Sequence, residues 1–198
     1  MRAVAVAMVL AALSTAVAAA ASPPRTSRAP WPRPNDTLRL TVAAGLKPET
    51  HEFFDYHVHA HLDIFVNAHR LRVPGGIGID IANPAVRRAR LKDGTFVFGG
   101  IDPPCKTACI SPLHTHAGDG VLHTESQNNR PNRLGQFFTE WRVRLSSKCV
   151  GGYCSARFYV DGKAYRGDPR AIQLTNLREI AIVVGKPPAV IPSRFPTG

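Results

Sequence analysis

Residues 57–66, "HVHAHLDIFV", put His57, His59, His61 and Asp63 at one parity and Val58, Ala60, Leu62, Ile64 and Val66 at the other. Side chains alternate across a strand, so this pattern predicts a strand with one core face and one face of imidazoles. A turn at Asn67 and a short return strand, "LRV", should follow, ended by Pro74, Gly75, Gly76 and Gly78. "TLRLTV" (Thr37 to Val42) alternates like another half-buried strand, and "TFVFGG" and "EIAIVVG" read as strands. "ARFYVDGKAY" carries Asp161-Gly162 between alternating segments, a strong hairpin signal. "NPAVRRARLKDG" suits a helical turn opened by Pro84 and stopped by Gly94.

One segment has the period of a helix. In "NRLGQFFTEW", Leu134, Phe137, Phe138 and Trp141 fall at i, i+3, i+4 and i+7, with Asn132 placed as N-cap; such a stripe packs a core. "DIFVNAHRLRVPGGIGI" is echoed faintly by "RFYVDGKAYRGDPRAIQL", as two related hairpins would be. The expected fold is mainly β, antiparallel and sandwich- or barrel-like, with one short amphipathic helix; α+β is the alternative.

A second histidine-bearing stretch, "PLHTHAGDGVLHTES", reads as two strands around a turn at Gly118–Gly120. A two- or four-residue loop would set His114 opposite His123 and His116 opposite Val121, so that His114, His116, His123 and Glu125 share a face. Six of the eight histidines thus fall in two short strand regions. Clustered imidazoles repel when protonated and leave polar atoms unpaired when buried neutral, and a metal ion removes both costs. Candidate metal ligands are therefore His57, His59, His61, His114, His116 and His123. Asp63 and Glu125 would support them or act as a general base. Because strand residues advance about 3.3 Å each, His57, His59 and His61 should not all reach one ion; two of them should meet histidines of the hairpin. His51 and His69 share neither face and are expected to be ordinary histidines.

Composition sets the compartment. Residues 1–21, with Arg2 and then an apolar, alanine-rich run, read as a secretory signal peptide. Residues 22–35 are proline-rich and basic and read as a stiff linker outside the core, residues 36–190 as a single domain, and 191–198 as a tail. Beyond residue 21 the chain holds 24 basic and 14 acidic residues, net +10. In an exported protein, charge scattered in this way points to a solvated surface, with anionic envelope polymers as a possible partner and no nucleic-acid module. Cys105 and Cys109, and Cys149 and Cys154, make an even count that argues for two disulfides over a four-thiolate zinc site. Local pairs would contribute about 2 kcal/mol each and bridges between the clusters about 4, and spacing does not choose between them.

"HAHLDIFVN", "VPGGIGI", "LHTHAGDGVLHTES", "LGQFF" and "CVGGYC" resemble the blocks of a family of uncharacterised exported bacterial proteins, over most of the chain from His57 to Gly185. The resemblance implies export and no particular activity. The chain departs from the family pattern at Ala68, where glycine is usual, and at Ala117, where aspartate commonly follows His-Thr-His.

Both methionines, Met1 and Met8, lie in the leader, so soft ligands for Cu(I) are missing, and imidazoles with a carboxylate favour Zn(II) or Cu(II). The leading expectation is an exported metal-binding protein of the cell envelope, periplasmic or extracellular, for metal capture or homeostasis. The alternatives are a metal-dependent hydrolase or hydratase using metal-bound water, and a structural envelope module stapled by metal.

Overall fold

A computed structural model describes residues 22–196. The signal-peptide reading of residues 1–21 lies outside them. Strand β1 (Tyr56–Val66) is the axis of the fold. A tight turn leads to β2 (His69–Leu71), then come β3 (Arg87–Arg90) and β4 (Phe96–Gly99), which form a separate hairpin. Next are β5 (Leu113–His114) and β6 (Val121–Ser126), a helix at Leu134–Trp141, and the two-residue strands β7 (Cys149–Val150) and β8 (Tyr153–Cys154). Strands β9 (Arg157–Val160), β10 (Lys163–Tyr165) and β11 (Arg178–Val184) complete the chain. The main sheet has the order β10-β9-β11-β1-β6-β5, with β2 also on β1.

The mainly-β expectation holds. The main sheet is mixed, because β11 runs parallel to β1 while the other pairs are antiparallel. Buried on both faces, β11 reads as the nearly unbroken apolar run "IAIVV", as parallel strands do. Ala60, Leu62 and Ile64 of β1 join Leu122, Ile180, Ile182, Leu134, Phe137, Phe138 and Trp141 in one core cluster. Each large apolar side chain buried there contributes roughly 1.5–3 kcal/mol, which is what holds the polar face of β1 in place.

Several sequence expectations change. Thr37–Ala43 is a helix, α1, and not a strand. Thr37, Leu40 and Thr41, at i, i+3 and i+4, are its buried positions, whereas Val42 of the alternating set is 62% exposed. Packing against the second helix, α2 (Leu134–Trp141), decided the period. Asn132 does not cap α2. Arg133 is the N-cap, its N–H donating to Gln136 Oε1 at 2.9 Å. Asn132 instead donates Nδ2 to Thr124 Oγ1 at 3.3 Å, tying the helix entrance to β6. The expected helical turn at 83–94 is β3 with turns on either side. There Gly94 (φ +83°) makes the reversal, and Asp93 Oδ1 accepts from the N–H and hydroxyl of Thr95.

Residues 22–35 are not a linker outside the core. Arg25 N–H donates to Arg142 O at 2.7 Å and Arg144 N–H to Arg25 O at 3.0 Å, while Trp31 is only 3% exposed, edge-on to Trp141 and Tyr153. Of the expected tail at 191–198, the described residues 191–196 are likewise engaged, with Ile191 packing on Phe65, Ala181 and Val183 and the Phe195 ring 6.1 Å from that of His61. The disulfides are local, Cys105–Cys109 and Cys149–Cys154, the second crossing the β7–β8 hairpin. Disulfides belong to an oxidising compartment. Among the described residues no helix is long and apolar enough to cross a membrane.

Candidate metal centre

Strand β6 lies between β1 and β5, and its register assembles the site. His59 pairs with His123, which pairs on its other side with His114, so three imidazoles form a row across three strands. His57 pairs with Glu125 in the next row on the same face. The predicted parity of the hairpin is therefore met at His114 and His123. His116 does not pair with Val121: β5 ends at His114, and the chain bends so that His116 Nε2 lies 3.2 Å from His114 Nε2. The described residues thus contain two overlapping groups able to hold a metal ion, His57, His59, His123 and Glu125, and His114, His116, His123 and Glu125.

The outer nitrogens fix which atoms face the site. His114 Nδ1 is 2.9 Å from Ser111 O and His116 Nδ1 is 2.5 Å from Phe98 O. A carbonyl oxygen only accepts, so both Nδ1 atoms carry the proton, and both Nε2 atoms turn toward each other at 3.2 Å. Metal-ligating histidines are oriented in this way by their other nitrogen. Two nitrogens bound to one ion at about 2.0–2.1 Å stand roughly 2.9–3.4 Å apart. The His57 and His59 Nε2 atoms form a similar pair at 2.8 Å.

Glu125, 3% exposed, sits at the centre: its Oε1 is 3.1 Å from His123 Nδ1 and 3.2 Å from His57 Nε2, and its Oε2 is 3.7 Å from His114 Nε2. Burial alone would raise its pKa, but the imidazoles of His116 and His123 hold it well below the usual carboxylate range. A buried carboxylate that faces these imidazoles is placed to share a cation with them or to orient them. Burial pushes His114 down to about 3 and His59, aided by His123, down to about 4. Burial also lowers His123. These imidazoles are neutral at physiological pH, the form that binds metal. Burial pulls on His116 too, but Glu125 and Phe98 O outweigh it and raise its pKa.

Glycines make the space. A Cβ on Gly99 (φ +140°) would stand 2.4 Å from His116 Nδ1, and one on Gly78 (φ +75°) 2.4 Å from Leu113 O and 2.9 Å from His114 Cβ. The "VPGGIGI" block is thus the bed on which the His-Thr-His segment lies. The β3–β4 hairpin forms the opposite wall, backed by a small core of Ile79, Phe98, Ile101, Cys105, Cys109 and Ile110. Between them an open cleft of about 580 Å³ reaches His57, His59, His116, His123 and Glu125 and is lined also by Glu52, Phe54 and Arg87.

His61 and Asp63 face the same side of β1 but belong elsewhere. Parallel register sets His61 opposite Glu179, and His61 Nδ1 lies 2.7 Å from Glu179 Oε2. Asp63 is ion-paired with Arg70, whose NH2 group also approaches His61 Nε2 at 2.9 Å and Asp119 O at 3.0 Å. His61, Asp63 and Glu179 form a third group with metal-ligand geometry, closed by a guanidinium. Sequence reasoning missed Glu179, whose signal was one carboxylate at the start of an apolar strand. It also missed Glu52, 3.8 Å from His116 Nε2, for which no sequence period gave a signal. His51 and His69 stay outside the centre: His51 lies 3.1 Å from Thr50 Oγ1 beside Phe53, and His69 pairs with Val66.

Comparison with family models, with curated proteins and with solved structures finds no match for this chain. Fold and site together define a mainly-β protein with His/Glu groups that can hold a metal ion.

Proposed function

We propose that this is an exported envelope protein that captures Zn(II) or Cu(II) through His57, His59, His114, His116, His123 and Glu125. The single observation that carries the reading is the facing Nε2 pair of His114 and His116, each with its Nδ1 committed to a backbone carbonyl. Two lone pairs aimed at one point are a cation site. Nitrogen and carboxylate donors, with all four cysteines oxidised, match the chosen metals. The local disulfides support export to an oxidising compartment, and the basic surface would hold the protein near anionic polymers.

Zn(II) titration of purified protein, followed by calorimetry and elemental analysis, should show stoichiometric binding. It should be abolished in the double variant His59→Ala/His116→Ala and unchanged in His69→Ala. Full binding by the double variant would refute the reading. The open cleft in front of the ligands favours one second reading, a hydrolase or hydratase using metal-bound water, because about 580 Å³ lies within the size range of small-molecule sites. Metal-dependent turnover of simple esters, lost in the same double variant, would select it.

A further inference from the structure

The centre has more ligands than one ion takes. Zn(II) is usually four-coordinate, yet five imidazoles and Glu125 converge here. They sort by strand. His57 and His59 come from β1, His114 and His116 from β5 and the bend after it, and β6 between them supplies His123 and Glu125. Neighbouring strands are about 4.7–4.9 Å apart, so the flanking pairs stand too far from one another for a single ion at about 2 Å from each. Within each pair, however, the Nε2 atoms are 2.8 and 3.2 Å apart, the spacing of two donors on a common ion. Glu125 turns Oε1 toward His57 at 3.2 Å and Oε2 toward His114 at 3.7 Å. That Oε2 atom is buried and has no hydrogen-bond partner among the described residues. A buried carboxylate oxygen without a donor calls for a partner, and here, facing a converging pair of imidazole nitrogens, a cation would supply it.

We propose that the centre is dinuclear: an outer ion on His57 and His59 and an inner ion on His114 and His116, bridged by the two oxygens of Glu125, with His123 completing the set between them. This rests on the metal-binding reading above. Ions in two-metal sites are about 3.5–4 Å apart, a little under the strand spacing of about 4.7–4.9 Å that separates the two gaps, so both ions would lean toward Glu125. The two positions differ in depth. His114 is fully buried, whereas the His57 side chain is 35% exposed and borders the cleft. The inner ion is therefore resident and the outer one exchangeable, so the outer position is where cargo is taken up and released.

The test uses the full chain, stripped of metal and loaded with Zn(II) alone or Cu(II) alone. Native mass spectrometry at saturation should show two ions per chain in the wild type and one in each of His57→Ala and His116→Ala. Chelator should release metal from the wild type in a fast and a slow phase, and His57→Ala should keep only the slow one. With Cu(II), paramagnetic resonance should show spin coupling in the wild type and an uncoupled single-ion signal in His57→Ala, whose exposed position leaves folding intact; Glu125→Gln should remove the coupling. One ion per chain, lost in His57→Ala and His116→Ala alike, would overturn the dinuclear centre and leave the metal-binding reading standing. No bound ion would overturn both. Two ions of which one is lost only on Glu179→Gln would place the second with His61 and Asp63 and overturn the bridged pair.

Discussion

Glu140 is a wholly buried carboxyl on α2 that the candidate centre does not use. Its nearest polar neighbours are the hydroxyls of Ser111 and Thr41. Thr41 donates to Thr37 O at 3.1 Å and Ser111 Oγ accepts from Leu113 N–H at 3.1 Å, and neither Glu140 oxygen has a hydrogen-bond partner among the described residues. Burial pushes its pKa up to about 8, a little restrained by the two hydroxyls. The folded state then holds this proton more tightly than the unfolded chain. The stability it contributes is complete below the unfolded carboxyl range and is lost as pH rises through about 8. Urea midpoints should fall as pH rises from the ordinary carboxyl range and level off above about 8, with Glu49, pushed up by burial to about 7, adding to the fall below that pH. Glu140→Gln should flatten that fall and stabilise the protein at pH 9 by on the order of 3 kcal/mol. An unchanged slope in the variant would show that Glu140 ionises without cost.

At the scale of elements, the faint sequence echo corresponds to two hairpins of the same sheet, β1–β2 and β9–β10. Their turns match: Asn67 and Ala68 have φ +50° and +66°, Asp161 and Gly162 +50° and +76°. Both central residues positive is the type I′ geometry that suits the twist of two-residue hairpins. Alanine at the second position carries a Cβ that the left-handed region disfavours by about 1 kcal/mol, and Ala68 is exposed, with no packing to compensate. Ala68→Gly should therefore raise stability by about 0.5–1 kcal/mol, read as a higher denaturant midpoint at unchanged m. α1 shows the opposite case, in which local alternation pointed to a strand and packing on α2 made a helix.

At the scale of the whole molecule, the segment 22–35 that leads into α1 is part of the core. Trp31 donates its indole N–H to Ser27 O at 2.9 Å, and its ring occupies the space that a Cβ on Gly151 would take, 2.2 Å away. The Cys149–Cys154 hairpin, "CVGGYC", thus closes over the segment that composition alone marked as a linker. Trp31→Ala should cost about 3–5 kcal/mol in chemical denaturation, as core tryptophans do, whereas a linker residue would cost nothing measurable.

The sequence by itself determined the elements whose signal is local. The two faces of β1, the pairing of His114 with His123, the aromatic stripe of α2 and the Asp161-Gly162 hairpin were all legible, because a period of 2 or 3.6 and a turn dipeptide are written within a dozen residues. It also concentrated the candidate metal ligands in two stretches. Only the tertiary structure decided how they divide. His57 and His59 meet His123 because β6 lies against the first half of β1, and His61 leaves them because β11, whose Glu179 is 118 residues away in the chain, runs parallel along the other edge. Glu52 near His116, the bend that turns His116 toward His114, and the burial of Trp31 were likewise invisible. Each depends on which surfaces meet, and that is set by burying apolar area across long separations, which no local period records.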